Sequence, residues 1–190
     1  MVKATKDNRP FSSGVFDLEE FNIYTKVIDL PLDGIPTYLE EGINGVCTGG
    51  SALFNVFSNK RRVVKNDLIT IFPYQLASIT EISTDFAVIF FKVPKKLFMD
   101  TINGLGRLTL DYFFYMRKYY SSPLSEEEYK RFVHFCHILS YRVDLSCAFL
   151  RRESVMYLLR VYYWDLYVGY KSNPKAMASV KFVRKEKDRK

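Results

Sequence analysis

Apolar positions give the chain two textures that meet at Pro94. Between residues 21 and 93 the apolar residues fall in short β-branched or aromatic runs, at 21–28, 37–41, 46–48, 51–57, 62–64, 67–72, 76–82 and 86–93. Gly, Asn, Asp and Pro separate them, the pattern of an all-β sandwich or barrel. Ser58-Asn59-Lys60 and Asn66-Asp67 read as turns, because Asn tolerates positive φ. The run 86–93 is apolar at odd and even positions alike. That predicts a strand covered twice, by the barrel inside and by helices outside.

After Pro94 the spacing becomes helical. Pro94 suits a first helical turn, where its missing N–H costs nothing, and that helix should stop at Asn103-Gly104. A second helix is predicted over 108–120, with Pro123 breaking the pattern. Ser125 and Glu128 form a capping box that opens a third helix, with Tyr129, Phe132, Val133, Cys136, Leu139 and Val143 on one face. The last helix, 149–171, carries two apolar stripes. Val155, Leu158, Leu159, Tyr162 and Leu166 make one, and Tyr157, Val161, Trp164 and Val168 make a nearly opposite one. Two stripes mean cover on two sides. Each large apolar side chain left in water forfeits about 1.5–3 kcal/mol, so the second stripe predicts a cover, either another helix of this chain or a partner subunit. Residues 1–20, polar and broken by Pro10 and Gly14, read as an arm.

The length of 190 residues suits one domain, and the 16% aromatic content predicts a core built largely from rings. No apolar run is long enough to cross a membrane, and the charged start 1–10 has no apolar segment behind it, so no secretory signal is read. Three cysteines, Cys47, Cys136 and Cys147, are an odd number without paired spacing. Free thiols and a cytoplasmic location are therefore expected. The net charge of +7 is mostly local: residues 171–190 hold eight Lys/Arg and two Asp/Glu. The body is close to neutral, unlike a domain that grips nucleic acid with its own fold. The basic tail reads as a solvated linker.

Candidate chemistry is sparse. The segment 21–93 contains no histidine, whereas a metal-dependent small barrel needs several. His134, Cys136 and His137 share a helix on which Cys136 points roughly 160° away from His134, so they do not close on one ion. Cys47 has no neighbouring base and reads as a small buried thiol. Gly45, Gly49 and Gly50 lack a phosphate-loop pattern and read as barrel corners. Glu126-Glu127-Glu128 sits where a helix dipole favours acids. Lys60-Arg61-Arg62 reads as a solvated hairpin tip or an anion contact. With no nucleophile–base–orienter set, the expectation is a protein that is not an enzyme, with no catalytic residues, no metal and no cofactor.

Two stretches, Gly45-Val46-Cys47-Thr48-Gly49-Gly50-Ser51-Ala52 and Val64-Lys65-Asn66-Asp67-Leu68-Ile69-Thr70-Ile71-Phe72-Pro73, resemble the barrel of AraC-type transcription regulators. Asn66 replaces the family's usual Gly, and Gly50-Ser51 stretches the first motif by one residue. Ser122-Pro123-Leu124-Ser125-Glu126-Glu127 and Arg151-Arg152-Glu153-Ser154-Val155-Met156-Tyr157-Leu158-Leu159 resemble the helices that follow in Bacteroides-type members. The resemblance spans residues 20–171. It implies an α+β fold, with a cupin-like β-barrel (a double-stranded β-helix) at 21–93 and a helical dimerisation region at 94–171. An arm at 1–20 and a basic linker at 172–190 toward a C-terminal helix-turn-helix domain complete the layout. The implied function is effector sensing and dimerisation, with DNA bound only through that further domain. The expected partners are a small-molecule effector, sugars among the classes, and a second copy of the chain. Tyr38, Phe54, Asn55, Phe72 and Tyr74 are the candidate ligand contacts. Tyr157, Val161, Trp164 and Val168 are the candidate dimer face. A free-standing metal-independent cupin enzyme of isomerase type and a carbohydrate-binding module are the alternatives.

Overall fold

A computed structural model describes residues 21–106 and 108–172. The arm 1–20 and nearly all of the linker 172–190 lie outside the described residues. Nine strands precede or interleave with four helices: β1 Ile23–Tyr24, β2 Thr37–Tyr38, β3 Glu41–Gly49, β4 Ser51–Val56, β5 Asn59–Val64, β6 Asp67–Ile71, β7 Leu76–Thr80, β8 Ala87–Pro94, α1 Lys95–Asn103, α2 Leu110–Lys118, β9 Ser121–Pro123, α3 Glu126–Val143 and α4 Ala148–Ser172. All pairings are antiparallel. One sheet has the order β1-β8-β3-β6-β9 and the other β2-β7-β4-β5.

The chain changes sheet at most of its turns. Gly50, at φ 61°, makes the corner from β3 to β4, and a side chain there would collide with the backbone of Phe86. Asn66 takes the left-handed conformation between β5 and β6. The Asp67 carboxylate accepts from the Val64 N–H across that turn at 3.0 Å. Two sequence expectations need correction. The β4–β5 turn is Phe57-Ser58, with positive φ at Phe57, while Asn59 pairs with Val56 in the ladder. Gly45 is no corner either. It sits mid-strand, where an added Cβ would stand 2.5 Å from that of Phe90. Reading Gly42 and Gly45 as punctuation hid the full nine-residue length of β3.

The five-stranded sheet is covered on both faces, as the 86–93 run predicts. Phe90, Ile43 and Ile69 turn toward the second sheet, into an apolar cluster with Phe54, Val56, Val63, Ile79 and Phe86. Phe91, Val46 and Leu68 turn outward, into a cluster with the helices. The Phe91 ring lies 5.7 Å from that of Tyr162 and 6.3 Å from that of Phe132. The capping box at Ser125 forms in both directions, and Phe132, Cys136 and Leu139 bury the α3 face that the spacing predicts. Asp100 of α1 pairs with Arg152 of α4 at 2.7 Å.

Candidate functional site

The outward face of the five-stranded sheet is unusually polar at its centre. Asn44 and Thr70 are register partners on β3 and β6. The Asn44 amide donates to Tyr163 Oη at 3.2 Å, and Thr70 Oγ1 shares a 3.2 Å hydrogen bond with Tyr162 Oη. Two adjacent hydroxyls of α4 are thus docked on two adjacent strands. Tyr112 of α2 packs beside them, its ring 5.2 Å from Tyr167, but its buried hydroxyl has no partner among the described residues. Loss of hydration raises the phenol pKa of Tyr112, Tyr162 and Tyr163.

Beside this layer lies a cleft of about 670 Å³. Its floor is Leu68 and Thr70 of β6. Tyr115, Met116 and Tyr119 come from α2 and its end, Phe132 and Phe135 from α3, and Tyr162, Asp165, Leu166, Gly169 and Tyr170 from α4. The rings fall into two groups. Tyr115 lies 4.7 Å from Tyr119 and 4.9 Å from Tyr170, while Phe135 stacks on Tyr162 at 5.5 Å. Glu128 and Arg131 also line the cleft. Glu128 is committed to Ser125 at 2.8 Å, and those hydrogen bonds lower its pKa. Gly169 is the odd residue of this wall. A helical glycine costs about 1 kcal/mol against alanine. Yet its φ is not left-handed, and beyond its own helical turn nothing stands within 4 Å of where a Cβ would be. Neither backbone nor packing requires it.

The same helix carries an exposed apolar face. Tyr157, Val161, Trp164 and Val168 are exposed, between 40% and 59%, and no other described element covers them. Val155, Leu159 and Tyr162 are buried as the spacing predicts, and Leu158 and Leu166 are half-buried. The sequence reading missed a third stripe, Met156, Tyr163, Tyr167 and Tyr170, which is buried as well. Val161 lines the cleft and belongs to the exposed face.

The five candidate ligand contacts do not converge on one cavity. Phe54 is buried between the sheets, and its neighbour Asn55 points the other way, as β alternation demands. Phe72 packs outward against Phe98 at 5.1 Å and Tyr163 at 6.1 Å. Tyr38 and Tyr74 are exposed. Tyr74 borders a second depression, where Lys95 Nζ lies 4.8 Å from its ring. The space between the sheets is closed at one side by Tyr120, whose hydroxyl donates to the carbonyls of Phe54 and Asn59 at 2.9 and 3.0 Å. Burial pushes that phenol up to about 12.

Other candidate groups are structural. Cys47 and Cys136 are buried, and desolvation raises both thiols, Cys136 to about 12. Neither is a poised thiolate. His134 and His137 are exposed on α3, and no group of metal-binding side chains occurs among the described residues. Arg61 lies over Tyr119 and donates to the Ser121 carbonyl, and Arg62 pairs with Glu81. Arg61 and Arg62 are therefore used within the fold, while Lys60 is exposed. No helix among the described residues is long and apolar enough to cross a membrane.

No protein-family model and no curated protein matches the sequence. Among solved structures, the chain is similar to an apo variant of ToxT from Vibrio cholerae, with a TM-score of 0.52 at 8% identity over 80% of this chain and 58% of that one. ToxT from Vibrio cholerae bound to a methylnaphthalenyl butenoic acid matches with a TM-score of 0.44 at 11% identity, over 80% and 58% of the two chains. The AraC-like transcriptional activator CuxR matches with 0.36 at 10% identity, over 74% and 47%. The chain thus spans 58% of the ToxT chain, and at such low identity the first match shows a shared fold: an α+β unit of two antiparallel sheets and four helices.

Proposed function

We propose that the chain is the effector-sensing and dimerisation part of an AraC-type transcription regulator, with its two sheets forming a cupin-like double-stranded β-helix. In this reading it performs no catalysis. Residues 1–20 are an arm over the 21–93 barrel, 94–171 the pairing helices, and 172–190 a basic linker to a helix-turn-helix domain that alone binds DNA. The shared fold with ToxT and the strand path that alternates between sheets support it.

The observation that carries the reading is the double use of α4. One face is an apolar stripe open to a second copy, and the adjacent face is the wall of a cleft. A ligand that touches one face can shift an equilibrium made by the other, to the extent that it binds the two states with different affinity. Each side chain of the stripe withdrawn from water on pairing contributes up to about 1.5–3 kcal/mol. Sedimentation equilibrium on the parent and on Trp164→Glu tests this. The parent is expected to be a dimer and the variant a folded monomer. An unchanged dimer removes the stripe assignment, and a monomeric parent removes dimerisation.

A further inference from the structure

We infer, resting on the sensing role proposed above, that the cleft along α4 is the effector site and that it takes an uncharged, elongated apolar molecule of two or three rings. Its volume, about 670 Å³, falls within the roughly 300–1,000 Å³ of small-molecule sites. Tyr162 and Tyr170, which belong to its two ring groups, are eight residues apart, roughly 12 Å at 1.5 Å per residue. A molecule of that length meets Phe135 and Tyr162 at one end and Tyr115 and Tyr170 at the other.

The polar groups fix one point rather than many. Thr70 Oγ1 and Tyr162 Oη share a single hydrogen bond, and two hydroxyls bring two donors. One O–H and free lone pairs therefore remain for a hydroxyl or carbonyl of the ligand. Charge selects against ions. Glu128 is held by Ser125 and lies close to Arg131. Asp165 is exposed at the rim, and Arg61 and Lys118 stand over the Tyr119 ring rather than in the lining. An ion laid along the rings would lose hydration without a buried countercharge.

Gly169 is an exposed lining residue of the cleft. Nothing in the fold needs a glycine there, and the space beside it is open. A larger side chain would enter that space without displacing the protein. Val161 ties the site to the exposed face, since it belongs to both.

The test titrates the full 190-residue chain with N-phenylnaphthylamine, an uncharged fluorescent probe, and with its sulfonated analogue anilinonaphthalene sulfonate. The uncharged probe is expected to bind saturably. Gly169→Leu weakens it about tenfold or more, and Gly169→Ala leaves it within about twofold. Both variants keep the far-UV circular dichroism of the parent. The sulfonate binds about fivefold more weakly than the uncharged probe. Absence of saturable binding, or parent-like binding by Gly169→Leu, overturns the site. Equal or tighter binding of the sulfonate overturns the uncharged class. Sedimentation equilibrium with saturating probe reads the effector role separately. A shifted dimer constant supports it, and an unchanged one overturns that role while the cleft stands. A monomeric parent that still binds the probe fails the dimerisation reading, not the cleft.

Discussion

Two packed layers share the five-stranded sheet, and they differ in kind. Between the sheets, Phe54, Val56, Val63, Ile43, Ile71 and Phe90 are fully or almost fully buried. Tyr120 enters that layer with its single hydroxyl hydrogen shared between two carbonyls. Between the sheet and the helices, three tyrosine hydroxyls, an asparagine and a threonine are buried together. There Asn44 Oδ1 and Tyr112 Oη have no partner among the described residues, and an open cleft reaches Thr70 and Tyr162 of the same layer. The first layer has the character of a closed core that fixes the fold. The second has spare hydrogen-bonding capacity next to open volume, which a two-state element can use.

The largest test of this contrast is Phe54→Ala. Removing a large ring from a closed core costs about 3–5 kcal/mol, read as a lower urea midpoint at an unchanged slope. A cost under about 1 kcal/mol would mean that the space between the sheets relaxes around the gap. The contrast between the layers would then fail, and the barrel interior would again be the better place for a ligand.

Much of the fold was legible because its signals are local. Short β-branched or aromatic runs between turn residues marked most strands, and the Ser125–Glu128 spacing fixed the start of α3 to the residue. The exposed stripe of α4 was legible from its period alone, because a helix of 25 residues averages out local noise. What escaped depends on partners distant in sequence. β9, Ser121–Pro123, has no strand-like composition and exists because β6 offers it an edge, where proline is tolerated. The Tyr163, Tyr167 and Tyr170 stripe was missed because Phe72, Phe98 and Tyr112, which bury it, come from three separate stretches of the chain. The cleft was invisible for the same reason: five elements line it. Its one local trace was Gly169, an unexplained glycine inside a helical pattern. The five ligand candidates assumed that rings near barrel strands face one interior, yet Phe54 and Phe72 face different layers.

The finest test applies one chemical change at two places in the second layer. Tyr163→Phe deletes the oxygen that accepts from Asn44 and leaves that buried amide wholly unpartnered. An unsatisfied buried polar group costs about 1–3 kcal/mol, so the variant should melt earlier. Tyr112→Phe deletes a hydroxyl that is buried without a partner. Nothing is orphaned, a desolvated polar atom is removed, and stability should rise by up to about 1 kcal/mol. The two variants lose the same atom type from neighbouring rings of one cluster, so volume and propensity cancel in the comparison. Opposite signs in thermal melts would place the difference in hydrogen bonding alone. If both variants lose stability alike, the Tyr112 hydroxyl has a partner in solution, and the second layer is as closed as the first.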